Sequence, residues 1–135
     1  MDVTKERAGV GRLASLRVLI VEDSWLIADT LAVVLESEGA RVVGPAAAGA
    51  KAISLLRQEI VDIALVDMSL SDGFADGVID ELDARFIPYF IVTGFGALPT
   101  NADARAISVV RKPFDSATLV EMIRNFLLSA GRSHG

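Results

Sequence analysis

Short, almost purely apolar runs alternate along this chain with segments whose apolar residues recur at helical spacing. A run that is apolar throughout is typical of a strand buried on both faces of a parallel sheet, whereas apolar residues three or four apart indicate one face of a helix. The runs predict strands at about 17–21, 41–43, 62–66, 89–92 and 108–111, and the amphipathic segments predict helices at about 24–37, 50–58, 78–84, 102–106 and 116–128. Alternating strands and helices favour an α/β domain built on a parallel sheet.

Five strand–helix units restrict the architecture further. The 135 residues are too few for a closed eight-fold barrel, and no linker or repeat divides them. We therefore predict a flavodoxin-like (βα)5 fold, a doubly wound parallel sheet of strand order 2-1-3-4-5, in which ligands bind beyond the carboxyl ends of the first and third strands. The domain is expected at 16–129, between a flexible leader at 1–15 and a flexible tail at 130–135.

Composition and charge argue against several classes of function. The formal net charge of −5 disfavours a nucleic-acid binder, because such domains are usually basic. The absence of cysteine excludes disulfide bonds and thiolate metal sites. No stretch reads as a membrane span or as the apolar core of a signal peptide. We therefore expect a cytoplasmic protein whose partner is neither a membrane nor a nucleic acid.

Polar residues follow four of the predicted strands at the point where each strand ends. Glu22–Asp23 follow the first strand, Asp67 the third, Thr93 the fourth and Lys112 the fifth. Because the carboxyl ends of parallel strands meet at one edge of the sheet, we expect these side chains to lie together. Three converging carboxylates repel one another unless a cation compensates their charge, and a hard ion such as Mg²⁺ prefers oxygen ligands. The pattern therefore predicts a site for a divalent cation and a phosphoryl group.

Each of these residues also has an ordinary explanation. Asp23 could cap the first helix, and Asp67 could be a turn residue. Thr93 is a residue type common in strands, and a lysine before a proline is often a solvated loop residue. The functional interpretation rests on the coincidence of four polar signals at the same ends of four strands.

Taken together, these residues resemble the receiver domain of two-component response regulators, and the resemblance covers nearly all of 16–128. The residues that carry it are Glu22–Asp23, Asp67, Thr93 and Lys112-Pro113-Phe114. The resemblance implies that Asp67 accepts a phosphoryl group from a phosphohistidine on a sensor histidine kinase or a phosphotransfer protein. No enzymatic activity is expected beyond magnesium-dependent phosphorylation and dephosphorylation at Asp67 itself.

The resemblance also implies a metal site. Asp23, Asp67 and the backbone carbonyl of Ser69 would bind Mg²⁺ or Mn²⁺, while Glu22 would act mainly through metal-bound water. Oxygen donors of this kind suit either hard cation.

The phosphoryl-sensing residues follow the family in part. The resemblance assigns Thr93 to hydrogen bonding of the phosphoryl oxygens and Lys112 to pairing with Asp67 or its phosphate, and the bond before Pro113 is typically cis in this family. Most receivers carry an aromatic residue three positions before the lysine, where its rotation couples to the threonine, but that position here is Val109. The stretch ending in Phe95 instead resembles an alphaproteobacterial subgroup with a Phe-x-Thr-Gly-aromatic motif. Phe95 could then be the moving aromatic, or simply a loop residue packed on the next helix.

The sequence ends soon after the last predicted helix, so we expect a single-domain regulator that signals through protein contacts. A target, or a second copy in a homodimer, would bind the surface formed by the fourth helix, the fifth strand and the last helix.

Two other classes fit part of the pattern. An aspartyl-phosphate-type phosphohydrolase would require a second acid at position 69, which is Ser69. A flavodoxin-like cofactor-binding module would require a phosphate-cradling loop after the first strand, where Glu22–Asp23 place negative charge instead.

Overall fold

The computed structural model describes residues 11–70, 72–94 and 106–133. The five strands are β1 (Arg17–Val21), β2 (Arg41–Ala46), β3 (Ile63–Asp67), β4 (Tyr89–Thr93) and β5 (Ser108–Arg111). The helices within the described ranges are α1 (Trp25–Ser37), α2 (Gly49–Gln58), α3 (Ala75–Ala84) and α4 (Ser116–Ser133). The helix predicted near 102–106 lies almost entirely outside the described residues. None of the described helices combines the length and apolarity that crossing a membrane requires.

The strands form one parallel sheet of order β2-β1-β3-β4-β5, as predicted. Val21 pairs with Val66, and Asp67 pairs with Val92. Every residue of β3 and β4 is buried, because the apolar runs face helices on both sides of the sheet. The register brings the carboxyl ends of the central strands to the same level.

Alternate residues of each strand enter two different cores, so the sheet is doubly wound. The α2–α3 core contains side chains from those two helices and the strand residues Leu19, Val21, Ala64, Val66, Tyr89 and Ile91. The α1–α4 core contains side chains from the other two helices, Leu13, and the strand residues Val18, Ile20, Ile63, Leu65, Phe90 and Val110. The period of two along each strand produces this division.

Two of the described helices, α1 and α4, start with a local side-chain cap. The side chain that caps α1 is that of Ser24, whose hydroxyl accepts a hydrogen bond from the Ile27 amide at 3.4 Å. At the start of α4, Asp115 accepts from the Ala117 amide at 3.1 Å. Because Ser24 caps α1, the alternative explanation of Asp23 as its helix cap is wrong.

Three elements run at least three residues further than their sequence patterns predict. The sequence pattern ends β2 at Val43, but the strand continues through a cis Gly44–Pro45 bond to Ala46. Proline is tolerated there because β2 is an edge strand and one side of it needs no donor. α3 begins three residues earlier than expected, at Ala75, and α4 continues past position 128 to Ser133.

The packed part of the chain begins before the expected boundary at position 16. Leu13 is only 1% exposed and fills the α1–α4 core. Its amide donates to the Glu38 carbonyl at 2.9 Å, and the Arg12 guanidinium pairs with Glu38 at 2.8 Å and with Glu121 at 2.7 Å. Residues 11–15 therefore pack as part of the domain, where the sequence predicts a flexible leader.

Candidate functional site

The acidic residues that follow β1 and β3 converge at one edge of the sheet. Carboxylate oxygens of Glu22, Asp23 and Asp67 lie within 4.8 Å of one another. Glu22 and Asp67 are buried, with 2% and 1% of their surface exposed, whereas Asp23 is exposed. The cluster therefore has two buried carboxylates at its base and one at its opening to solvent.

Backbone hydrogen bonds fix the two buried carboxylates in place. The Glu22 amide donates to the Ala46 carbonyl at 3.0 Å, which ties the end of β1 to the end of β2. Beyond β3, the Met68 amide donates to the Val92 carbonyl at 3.2 Å, and the Ser69 amide donates to Asp67 Oδ1 at 2.9 Å. The orientation of the Asp67 carboxylate is therefore set by the loop that follows it.

Lys112 supplies the positive charge of the site. Its Nζ lies 2.8 Å from Glu22 Oε1 and 3.1 Å from Oε2, and 3.3 Å from Asp67 Oδ2. Its amide donates to the Thr93 carbonyl at 2.8 Å, which anchors the end of β5 beside β4. The peptide bond between Lys112 and Pro113 is cis. The family resemblance implies that Lys112 pairs with Asp67, but in this structure Lys112 lies closer to Glu22.

Burial and mutual contact shift the protonation equilibria of this cluster. Desolvation raises the pKa of Glu22, and the adjacent Asp67 raises it further, while hydrogen bonds from Lys112 and the Ser24 amide oppose the shift. Desolvation works against the charge of Lys112, but its contacts with Glu22 and Asp67 outweigh that effect and raise the pKa of Lys112. Lys112 is therefore held as a cation at neutral pH.

The donor set fits a hard divalent cation. Three carboxylates meet beside the Lys112 ammonium group, and a divalent cation would offset the repulsion among them. Glu22 Oε1 is buried and accepts no hydrogen bond from the described part of the chain, although Lys112 Nζ lies near it. Carboxylate oxygens open to water on one side are the ligands that Mg²⁺ and Mn²⁺ prefer.

Thr93 and Val109 lie on β4 and β5, on the side of the sheet away from β1. Thr93 ends β4 with 6% of its surface exposed, opposite Arg111 of β5. Val109 pairs with Ile91 and packs, half-buried, against the α2–α3 core. Phe95, the possible substitute for the missing aromatic residue, lies outside the described residues, and its role stays a prediction.

An apolar groove beside the site was missed by sequence reasoning. Its volume is about 440 Å³, and it reaches Lys112. The lining residues are Leu26, Ile27, Thr30, Leu31, Lys112, Pro113, Phe114 and Ser116. The signal was present in α1, which is apolar on nearly every side and leaves Trp25, Leu26 and Val33 exposed by 77%, 61% and 60%. A helix of that composition normally has a partner on each side.

Comparisons with known protein families and sequences identify relatives of this chain. The family model for the response regulator receiver domain matches residues 18–124. The transcriptional regulatory protein PdtaR of Mycobacterium tuberculosis is 32% identical over 112 residues, which cover 79% of this chain and 54% of that protein. The chain therefore spans about half the length of the curated relatives it matches.

Solved structures agree in fold. A CheY-like receiver domain from Methanospirillum hungatei superimposes with a TM-score of 0.78 and 26% identity, over 89% of this chain and 99% of that one. A CheY-like receiver domain from Methylobacillus flagellatus gives a TM-score of 0.73 at 24% identity, over 83% of this chain and 98% of that one.

Proposed function

We propose that this chain, which belongs to the response regulator receiver domain family, accepts a phosphoryl group on Asp67 from a histidine kinase or a phosphotransfer protein. The observation that carries the proposal is the placement of Asp67. Its carboxylate is buried at the carboxyl edge of the sheet, clustered with Glu22 and Asp23 and 3.3 Å from the Lys112 ammonium group. A carboxylate nucleophile in this setting has its own charge and that of the incoming phosphoryl group offset by neighbours.

The transfer itself requires positioning more than acid–base chemistry. An Asp67 oxygen attacks phosphorus, an oxygen–phosphorus bond forms, and the nitrogen–phosphorus bond of the phosphohistidine breaks with its electron pair left on the imidazole. The Ser69 amide holds Asp67 Oδ1 at 2.9 Å, which restricts rotation of the carboxylate before the attack. Asp23, Asp67 and the Ser69 carbonyl would hold a divalent cation, with Glu22 acting through its water. The cation, when bound, supplies neutralisation of the phosphoryl oxygens.

Thr93 and Lys112 would respond to the product. The acyl phosphate adds nearly two negative charges at the sheet edge. Lys112 already lies between Glu22 and Asp67, and a small movement of its flexible side chain would bring the ammonium group to the phosphate. Movement of the Thr93 hydroxyl toward the same oxygens would carry the loop after β4 with it. The output would then be a change in protein contacts near β5 and α4, with a target or with a second copy.

The chemical test is incubation with a small-molecule acyl phosphate and Mg²⁺, followed by intact-mass measurement. The wild-type chain should gain one phosphoryl group in a metal-dependent manner, and Asp67→Ala should gain none. Asp80→Ala is the matched control, because Asp80 is an exposed carboxylate on α3 outside the cluster. Equal gain by Asp67→Ala, or no gain by the wild type, would exclude the mechanism.

We also propose that the phosphodonor binds α1. The apolar groove is continuous with the site through Lys112, and Leu26 and Val33 lie on one exposed face of the same helix. An apolar face beside the acceptor suits an amphipathic helix that presents a phosphohistidine toward Asp67. A phosphohistidine carrier protein that loads the wild type should load Leu26→Ser more slowly, whereas the acyl phosphate should load both equally. Ile60→Ser, an apolar residue of similar exposure at 65%, is the control.

A further inference from the structure

The loop between β3 and α3 is attached to the start of a different helix, α2. The Asp72 carboxylate accepts hydrogen bonds from the amides of Gly49 and Ala50, both at 3.2 Å, in the first turn of α2. It also accepts from the Phe74 amide of its own loop at 3.2 Å. Three backbone donors, two of them more than twenty residues away in sequence, therefore converge on one side chain.

Asp72 replaces a cap that α2 does not have. The residue at the N-cap position is Ala48, whose side chain makes no capping hydrogen bond. The first amides of a helix have no partner within the helix, so a carboxylate from elsewhere satisfies them well. Desolvation raises the pKa of Asp72, but the hydrogen bonds from Ala50, Phe74 and Gly49 outweigh it, and the pKa lies below its usual value.

The backbone contact at this junction is close as well. A Cβ atom added at Gly49 would lie 2.5 Å from Phe74 Cβ and 2.9 Å from both its carbonyl carbon and oxygen. Only a residue without a side chain lets the loop approach α2 this closely. The hydrogen bonds and the steric fit independently hold the loop against α2.

The same loop carries Ser69, whose carbonyl the proposed function assigns to the cation. Ser69 lies three residues before Asp72, and its amide already holds Asp67 Oδ1 at 2.9 Å. A turn in which the Gly73 amide donates to the Leu70 carbonyl at 3.2 Å joins the two points of attachment. The loop is therefore fixed at one end by Asp67 and at the other by α2.

We propose that Asp72 is a positioning residue for the phosphoryl site, which holds the β3–α3 loop on α2 so that the Ser69 carbonyl faces the cation. The proposal rests on the proposed function of Asp67. Groups that orient metal ligands without touching the metal alter affinity strongly when they are removed. Asp72 contacts neither the acceptor nor the donor, so its effect is expected on cation binding and not on the transfer step.

The experiment measures the phosphorylation rate from an acyl phosphate as a function of Mg²⁺ concentration, with Trp25 fluorescence as an independent titration. Asp72→Ala should raise the half-saturating Mg²⁺ concentration by about ten-fold, while the rate at saturating Mg²⁺ stays within about two-fold of wild type. The half-saturating concentration of Asp72→Asn, which keeps one oxygen acceptor, should lie between those of the wild type and Asp72→Ala. Gly49→Ala should shift the half-saturating concentration in the same direction from the other side of the junction.

Asp80→Asn on α3 is the control for the loss of one negative charge. An unchanged half-saturating concentration in both Asp72 variants, or an equal shift in Asp80→Asn, would overturn the positioning role. A lower rate at saturating Mg²⁺ with an unchanged half-saturating concentration would also contradict it. A wild type that takes up no phosphoryl group would instead refute the function of Asp67, so the two failures are distinguishable.

Discussion

Ion pairs lie at opposite ends of the sheet, and their distances are similar while their burial differs. Lys112 lies 2.8 Å from Glu22 at the carboxyl end, and Arg17 lies 3.2 Å from Asp62 at the amino end. The side chain of Glu22 is 2% exposed, but that of Asp62 is 34% exposed. Water therefore screens the second pair more strongly than the first. Burial, more than distance, therefore distinguishes the charge cluster at the candidate site from an ordinary ion pair at the surface.

Removal of the Lys112 ammonium group should have the largest effect on stability and tests the difference between the two ion pairs most directly. Lys112→Met should lower the free energy of unfolding by about 3 kcal/mol in metal-free buffer, because it leaves two buried carboxylates without a counter-ion. Urea denaturation measures the change. Addition of Mg²⁺ should restore part of the loss, since a cation can take over the missing charge. A loss no greater than that of Arg17→Met would contradict the assigned difference between the two ends.

The pH dependence of stability provides the next test. Because burial raises the pKa of Glu22 in the folded chain above its ordinary value of 4.5, the folded state binds more protons than the unfolded state just above that pH. Stability in metal-free buffer should therefore fall as the pH rises from 4.5 through the raised pKa. Glu22→Gln should flatten this part of the curve of unfolding free energy against pH. An unchanged slope in the variant would mean that Glu22 does not contribute the effect.

Removing the negative charge of Asp67 should raise the free energy of unfolding, by less than Lys112→Met lowers it. Asp67→Asn relieves repulsion within the carboxylate cluster, keeps an oxygen for the Ser69 amide and leaves the Lys112–Glu22 contact intact. We expect a gain of about 1 kcal/mol in the free energy of unfolding without metal, together with complete loss of phosphorylation. Thermal or urea unfolding beside intact mass measures both. A lower free energy of unfolding in Asp67→Asn would show that attraction to Lys112 outweighs the repulsion of the Asp67 carboxylate by its acidic neighbours.

The smallest effect is expected at the amino end. Arg17→Met removes the guanidinium but leaves the hydrogen bond from the Arg17 amide to Asp62 at 2.8 Å. The free energy of unfolding should change by less than about 1 kcal/mol, and high salt should abolish the difference between the variant and the wild type. A salt-insensitive loss would indicate packing by the arginine stem instead.

The sequence was most informative where one residue type has one structural meaning. Unbroken apolar runs such as that before Asp67 predicted the buried parallel strands, and the count of five strand–helix units predicted their order. The rule that strand ends share an edge predicted that Glu22, Asp23 and Asp67 would meet. The α/β architecture and the sheet order are confirmed, and the carboxylates lie together as the spacing predicts.

Contacts between distant residues were beyond the sequence pattern. Nothing local marks Leu13 as a core residue, because its burial depends on space between α1 and α4. Asp72 reads as an ordinary turn residue before Gly73, and only the fold brings it to the amides of α2. The preference of Lys112 for Glu22 over Asp67 depends on a difference of about half an ångström between side chains from different strands.

The course of β2 through Pro45 has a consequence for assembly. β2 forms one border of the sheet, and a border strand offers its unpaired amides and carbonyls to any extended peptide that approaches. Pro45 has no amide hydrogen, and Gly44 turns the backbone with a φ of +88° just before it. A further strand added along this border would lose hydrogen bonds at that point. Pairing of an extended peptide, or of the edge of a second sheet, along β2 is therefore disfavoured.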